Sequence, residues 1–255
     1  MNKVITAALL LLMISSTGFS QKKIKVLSYN IHHGANMKNV IDLPAIAAVI
    51  NAEMPDLVAL QEVDSATGRS GKIDQLKELA RLTGMHCYFG RSMKYDGGGY
   101  GTGILSRYPI KEATTLQMPV GEGKEPRASG IIVAQIPGTK GVRFVSTHLD
   151  VEDEDTWRIQ EAELLNSQFS KSKIPVIIAG DFNALPDSKP IATFKKVFTD
   201  ISADSGPSFP SEAPRIKLDY IMTAKAPASW KATQVKVINE PMASDHRPVY
   251  VEISF

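Results

Sequence analysis

Apolar runs of strand length alternate with stretches of helical period along most of the chain. Residues 24–29 and 57–60 are short, β-rich runs. Between them Ile41, Ala45, Ala48 and Val49 recur at helical spacing, and Pro55-Asp56 ends that stretch. Residues 74–82 repeat the helical pattern with Leu76, Leu79, Ala80 and Leu82, and Gly84 follows where a helix end favours glycine. Residues 85–90, 103–106, 110–116, 128–136 and 142–147 then predict strands with few helices between them. A tight turn at Arg107-Tyr108-Pro109 points to antiparallel pairing there. Residues 156–169 predict an amphipathic helix, 175–179 a wholly apolar strand, and 217–222, 232–237 and 249–253 the closing strands. Residues 204–215, rich in Ser, Pro and Gly, read as a surface loop.

No repeat, low-complexity tract or shift of composition divides the pattern. It predicts one α/β domain over residues 21–255, with mixed parallel and antiparallel strands in two packed sheets and helices outside them. The first 20 residues stand apart. Lys3 precedes an apolar or small-residue run from Val4 to Met13, and small and polar residues follow to Ser20. This is the layout of a secretory signal peptide cleaved before Gln21. The run is short for a membrane span, and no cysteine follows it for lipid attachment. The expectation is an exported protein, periplasmic or extracellular, with no integral membrane segment in the mature chain. The 43% of apolar residues is ample for a buried core. The balance of 29 basic and 27 acidic residues excludes a polybasic arm or an acidic tail. A single cysteine, Cys87, excludes a disulfide framework and a cysteine-rich zinc site, and nothing around it supports a nucleophile.

The polar chemistry collects at the ends of the apolar runs. The first runs into Asn30, the second into Gln61-Glu62, the strand at 142–147 into His148 with Asp150 close by, and the strand at 175–179 into Gly180-Asp181-Phe182-Asn183. Parallel strands side by side bring such ends to one rim. Asp219 and the pair Asp245-His246 stand at strand starts, which antiparallel strands would bring to the same rim. Several carboxylates in one cleft need a cation, and oxygen ligands favour Mg²⁺ or Mn²⁺ over zinc. No His-Glu-x-x-His occurs. A histidine beside an aspartate suits proton transfer, and the amides of Asn30 and Asn183 suit anionic oxygen. Together these groups fit water attack on a phosphate ester. His32 and His33 are assigned to a loop or the substrate rim, and His86 to a structural role. The run Asp96-Gly97-Gly98-Gly99-Tyr100-Gly101 lacks a following Gly-Lys-Ser/Thr, so it reads as a flexible turn beside the rim and not as a phosphate loop. No Gly-x-Ser-x-Gly marks a serine hydrolase.

Six motifs carry a family resemblance: Leu27-Ser28-Tyr29-Asn30, Leu60-Gln61-Glu62, Ser146-Thr147-His148-Leu149, Gly180-Asp181-Phe182-Asn183, Leu218-Asp219-Tyr220-Ile221 and Ser244-Asp245-His246-Arg247-Pro248-Val249. In this order the chain resembles the endonuclease/exonuclease/phosphatase superfamily, the deoxyribonuclease I-like fold, over nearly all of its mature length. The resemblance implies a four-layer sandwich, two packed mixed sheets flanked by helices. It implies Glu62 as principal Mg²⁺ ligand with Asn30 beside it and Asp245 available to the metal. It makes Asp181 and Asn183 the pair orienting water and phosphate, His246 the essential histidine, Asp219 its carboxylate partner, and His148 a second histidine near the phosphate. Either Asp181 or His246 fits the general base. Arg69 and Arg127 are candidate contacts to substrate phosphate. The implied activity is metal-dependent hydrolysis of a phosphate ester, as a phosphodiesterase or phosphatase. A secreted nuclease and a phosphate-binding protein without catalysis are the alternatives. A lost acid or histidine would mark the binding protein, and none is lost here. The near-neutral charge offers no long track for duplex DNA, which favours a lipid headgroup or small phosphoester over nucleic acid. No obligate protein partner is implied.

Overall fold

Strands buried on both faces are rich in apolar residues, and the central strands of the molecule are buried along nearly their whole length. The computed structural model describes residues 22–152 and 154–255. The proposed signal peptide lies outside the described residues. The first sheet contains β1 (Lys23–Asn30), β2 (Leu57–Ser65), β3 (His86–Tyr95), β4 (Gly98–Ser106), β11 (Lys231–Val237) and β12 (Val249–Ser254), in the order β11-β12-β1-β2-β4-β3. The second contains β5 (Ile110–Gln117), β6 (Ala128–Ala134), β7 (Val142–His148), β8 (Val176–Asp181), β9 (Thr199–Asp200) and β10 (Asp219–Ala224), in the order β5-β6-β7-β8-β10-β9. Ile24, Val26, Phe144, Ile177 and Val251 fill the space between the sheets. The helices α1 (Leu43–Glu53) and α2 (Gln75–Thr83) cover the outer face of the first sheet through Ile46, Leu76 and Leu79. On the second, α3 (Thr156–Phe169) and α4 (Lys189–Phe194) pack Leu165, Phe169 and Phe194 around Phe182 and Tyr220. The result is the expected four-layer α/β sandwich.

Local sequence sets the helix ends. Asp42 and Asp74 accept hydrogen bonds from the Ala45 and Lys77 amides at 3.1 and 3.3 Å, capping α1 and α2. Gly84 closes α2 at φ +68°. Three readings of the sequence change. Arg107-Tyr108-Pro109 does not join paired strands: β4 and β5 lie in different sheets, so this turn carries the chain from one sheet to the other. The glycine run is not a loose turn, since β4 begins at Gly98 and pairs with both β2 and β3. The segment after Asp204 is not merely a surface loop, because Ser208 and Ser211 are fully buried. The short α4 and β9 gave no periodic signal of their own.

Among the described residues only two strand pairs are parallel, β1 with β2 and β7 with β8. In the centre, β12 runs antiparallel to β1, and β10 antiparallel to β8. The carboxyl ends of β1, β7 and β8 and the starts of β10 and β12 therefore share one edge of the sandwich. The close approach of β7 to β8 depends on Gly180, where an added Cβ would run into the Thr147 carbonyl oxygen. Gly180→Ala is expected to cost about 1–3 kcal/mol and to displace the adjacent Asp181. Calorimetry with a phosphoesterase assay checks this, and a variant as stable as the parent would show that the strands have room for a side chain.

Candidate active site

Strand register places the first acids. Asp181 ends β8 opposite His148, the last residue of β7, and also opposite Asp219, the first residue of β10. Its Oδ2 is the meeting point of the site. Asn30 Nδ2 donates to it at 3.2 Å, and the Nε2 atoms of His148 and His246 lie 3.7 and 3.6 Å away. Its Oδ1 accepts the Asn183 amide at 2.9 Å, and the Asn183 side chain is tied to the Leu149 carbonyl at 3.0 Å. His246, on the loop before β12, places Nδ1 2.9 Å from Asp219 Oδ2. The Ser208 hydroxyl donates to that same oxygen at 2.6 Å, and the Phe209 ring lies 4.7 Å from the imidazole. The 204–215 segment thus builds the back of the histidine site, through residues that no sequence motif marked.

Glu62 reaches the rim by a local irregularity. It does not end a strand, because β2 continues to Ser65. The pairing of β2 with β4 shifts register between Leu60 and Val63, and Glu62 has φ +57°. Such a bulge re-aims a side chain that regular pleating would direct elsewhere. Asn30 Nδ2 also donates to Glu62 Oε1 at 3.0 Å, while Asn30 Oδ1 accepts the His32 amide at 3.0 Å. Asn30 is therefore fixed as a bracket between Glu62 and Asp181. The 3-10 turn at His32–Gly34 supplies part of that bracket.

These groups open into a cleft of about 490 Å³ whose lining includes Glu62, His148, Asp181, Asn183, Asp245 and His246. Asp219 stands behind His246. Met93, Tyr95, Tyr100, Val151, Phe209 and Leu218 complete the lining, an apolar and aromatic surface. Both candidate arginines line the cleft, and both are held by protein acids. Arg69 grips Asp64 with Nε and Nη2 at 2.8 and 2.9 Å and lies over the Tyr95 ring at 4.6 Å. Arg127 pairs through Nη1 with Glu125 at 2.7 Å and meets His148 Nδ1 at 3.2 Å.

Burial dominates the electrostatics. It raises the Asp181 carboxyl well above the usual range, Asp219 adds to this, and His246 and the Asn183 and Asn30 hydrogen bonds oppose it. Burial alone would discharge His246, but Asp219 and Asp181 outweigh it, so its ring is held charged well above the ordinary histidine range. His148 moves the other way, lowered by burial, then by Arg127 and by His246. Glu62 is raised by burial against its Asn30 bond, and Asp245 adds to the rise.

Asp181, Asp219 and His246 lie close enough to offer ligands to one ion. Their mutual hydrogen bonding already satisfies much of their polarity. Glu62 and Asp245 differ: no basic side chain forms an ion pair with either among the described residues. Two oxygen donors without a cation, one of them oriented by Asn30, fit a hard divalent ion.

Comparison with known proteins agrees with this architecture. The chain is 29% identical to the uncharacterized protein YbhP of Escherichia coli K12 over 251 residues, which covers 91% of this chain and 97% of that one. An endonuclease/exonuclease/phosphatase structure from Beutenbergia cavernae superposes with a TM-score of 0.78 at 22% identity, covering 92% of this chain and 72% of that one. The mannosyl-6-phosphatase Bt3783 of Bacteroides thetaiotaomicron superposes with a TM-score of 0.74 at 20% identity, covering 91% and 100%. At those identities the two structures share the fold. The family pattern of the endonuclease/exonuclease/phosphatase proteins matches residues 27–246, and the chain belongs to that family.

Proposed function

We propose that the protein is a divalent-metal-dependent hydrolase of phosphate esters that directs water at phosphorus. The observation that carries this reading is the buried Asp181 carboxylate, flanked by two histidines and bracketed through Asn30 to the unpaired acid Glu62. Members of the family use divalent metals, and Mg²⁺ or Mn²⁺ suits the oxygen donors of Glu62 and Asp245. When bound, such an ion supplies charge neutralisation for the phosphoryl oxygens and for the acids around it. The cleft is small, much of its lining is apolar or aromatic, and both its arginines are paired with acids. This favours a small phosphoester or a headgroup over a long nucleic acid. The mannosyl-6-phosphatase of similar fold is a precedent for a phosphomonoester. The sequence at residues 1–20 supports action outside the cytoplasm, and no helix among the described residues is long and apolar enough to cross a membrane.

The chain's own groups divide the work. Asp181 takes the proton from the attacking water, because its raised carboxyl is a stronger base than an ordinary aspartate. The Asn183 amide holds that carboxylate in register. His246 stays charged and stabilises the negative charge that grows on the phosphoryl oxygens, and Asp219 fixes its ring and its charge.

Three outcomes test this. Chelation should abolish hydrolysis of p-nitrophenyl phosphate or its diester, Mg²⁺ or Mn²⁺ should restore it, and Glu62→Gln should weaken metal binding measured by calorimetry without unfolding the chain. Full activity after metal stripping would sink the reading. His246→Ala and Asp219→Asn should each lower kcat by about 10²–10⁴-fold, and the double variant should lose little more than either single one, since both residues serve one charge. The pH profile of kcat should rise above the ordinary carboxylate range, where Asp181 loses its proton. It should fall only above the ordinary histidine range, where His246 loses its own. Asp219→Asn should move the falling limb to lower pH, and an unmoved limb would dissociate that limb from His246.

A further inference from the structure

The two histidines beside Asp181 have opposite groups behind them. His246 Nδ1 faces a carboxylate, Asp219, whereas His148 Nδ1 faces a guanidinium, Arg127, at 3.2 Å. A guanidinium carries five N–H donors and no acceptor. His148 Nδ1 must then be the acceptor, and a neutral ring with an accepting Nδ1 carries its proton on Nε2. That Nε2 faces the cleft, 3.7 Å from Asp181 Oδ2. Arg127 cannot easily turn away: it is 5% exposed, and its Nη1 is held by Glu125 at 2.7 Å as well as by His148 at 3.2 Å. Protonating Nδ1 would set two donors and two positive charges against each other in a buried place. The groups facing His148 are Arg127 on the approach to β6, Asp181 at the end of β8 and His246 before β12. Two of the three disfavour its charge, and burial does the same.

We propose that Arg127 is a positioning residue that fixes His148 as the neutral, Nε2-protonated tautomer, so that His148 donates a hydrogen bond to the phosphoryl group and takes no part in proton transfer. The identity of the acceptor rests on the phosphoester reading above; the tautomer does not. Arg127 then serves the substrate through His148, and the site holds one charged and one neutral imidazole on either side of its base.

Long-range ¹H–¹⁵N correlation spectra of the labelled, metal-free protein between pH 5 and 9 read the tautomer directly. His148 should show a protonated Nε2 and a bare Nδ1 with no titration over that range. A protonated Nδ1, or a titration midpoint inside it, overturns the proposal. Arg127→Met should let Nδ1 take up a proton as the pH falls and lower kcat about 10–100-fold with little change in KM. A raised KM with an unchanged His148 spectrum would show instead that Arg127 binds substrate itself. Should Arg127→Met not fold, His148 variants decide. Gln places an amide donor near the position of Nε2, so His148→Gln should stay within about tenfold of the parent. His148→Ala should lose about 10²–10³-fold, the usual effect of removing one such donor. Equal losses in the two would overturn the donor role. A parent that hydrolyses no phosphoester would defeat the functional reading, and the spectra would still decide the tautomer.

Discussion

Asp181 is 1% exposed, and a carboxylate removed from water must be compensated by the groups that surround it. The compensation comes from every side of the sandwich. β8 supplies the acid, β7 the neutral His148, the segment before β12 the charged His246, and β1 the amide of Asn30. None of these contacts exists unless the parallel pair β7–β8 and the antiparallel strand β10 hold their register. Packing between the sheets and chemistry at their edge are thus linked: a change such as a methyl group at Gly180 acts on both. The cost of burial is also what makes the carboxylate basic, so the same desolvation that would weaken the fold prepares the group for proton abstraction.

Much of this was readable in the chain because burial leaves a simple trace. β1, β7, β8, β10 and β12 are buried along most of their length, so each carries an apolar run, and the polar residues that border those runs include the ones on the rim. Asn30, His148, Asp181, Asp219 and His246 were found that way. Glu62 was found for a less sound reason. It follows an apolar run, yet the strand continues past it, and a register shift with positive φ brings it to the cleft. Backbone conformation of that kind has no fixed residue signature for a glutamate.

The remaining gaps share one cause, pairing between residues distant in sequence. Ser208 and Phe209 support His246 from 38 and 37 positions away, inside a stretch whose composition signals only a loop. Arg69 and Arg127 look free in the sequence, and only the folded chain shows Asp64 and Glu125 holding them. The crossing from β4 to β5 has the residues of a tight turn, and which sheet the next strand joins is settled by packing on the other side of the molecule.

The pairing of both arginines also bears on how a phosphate would be received. With Arg69 set against Asp64 and Arg127 against Glu125, the positive charge not already matched by a neighbouring acid is small. Glu62 and Asp245 add negative charge to the same cleft. An anionic ester entering alone would meet net repulsion at short range, where the low local dielectric strengthens it. On the proposed reading, a divalent ion at Glu62 and Asp245 reverses that sign, so ion and substrate would each improve the site for the other. The neutral state of His148 fits the same economy of charge, since it offers the ester a hydrogen bond without another ionised group to bury. Specificity is then left to the uncharged lining from Met93, Tyr95, Tyr100, Val151 and Leu218. Those side chains contribute no charge to the chemistry and are free to match the organic part of the ester.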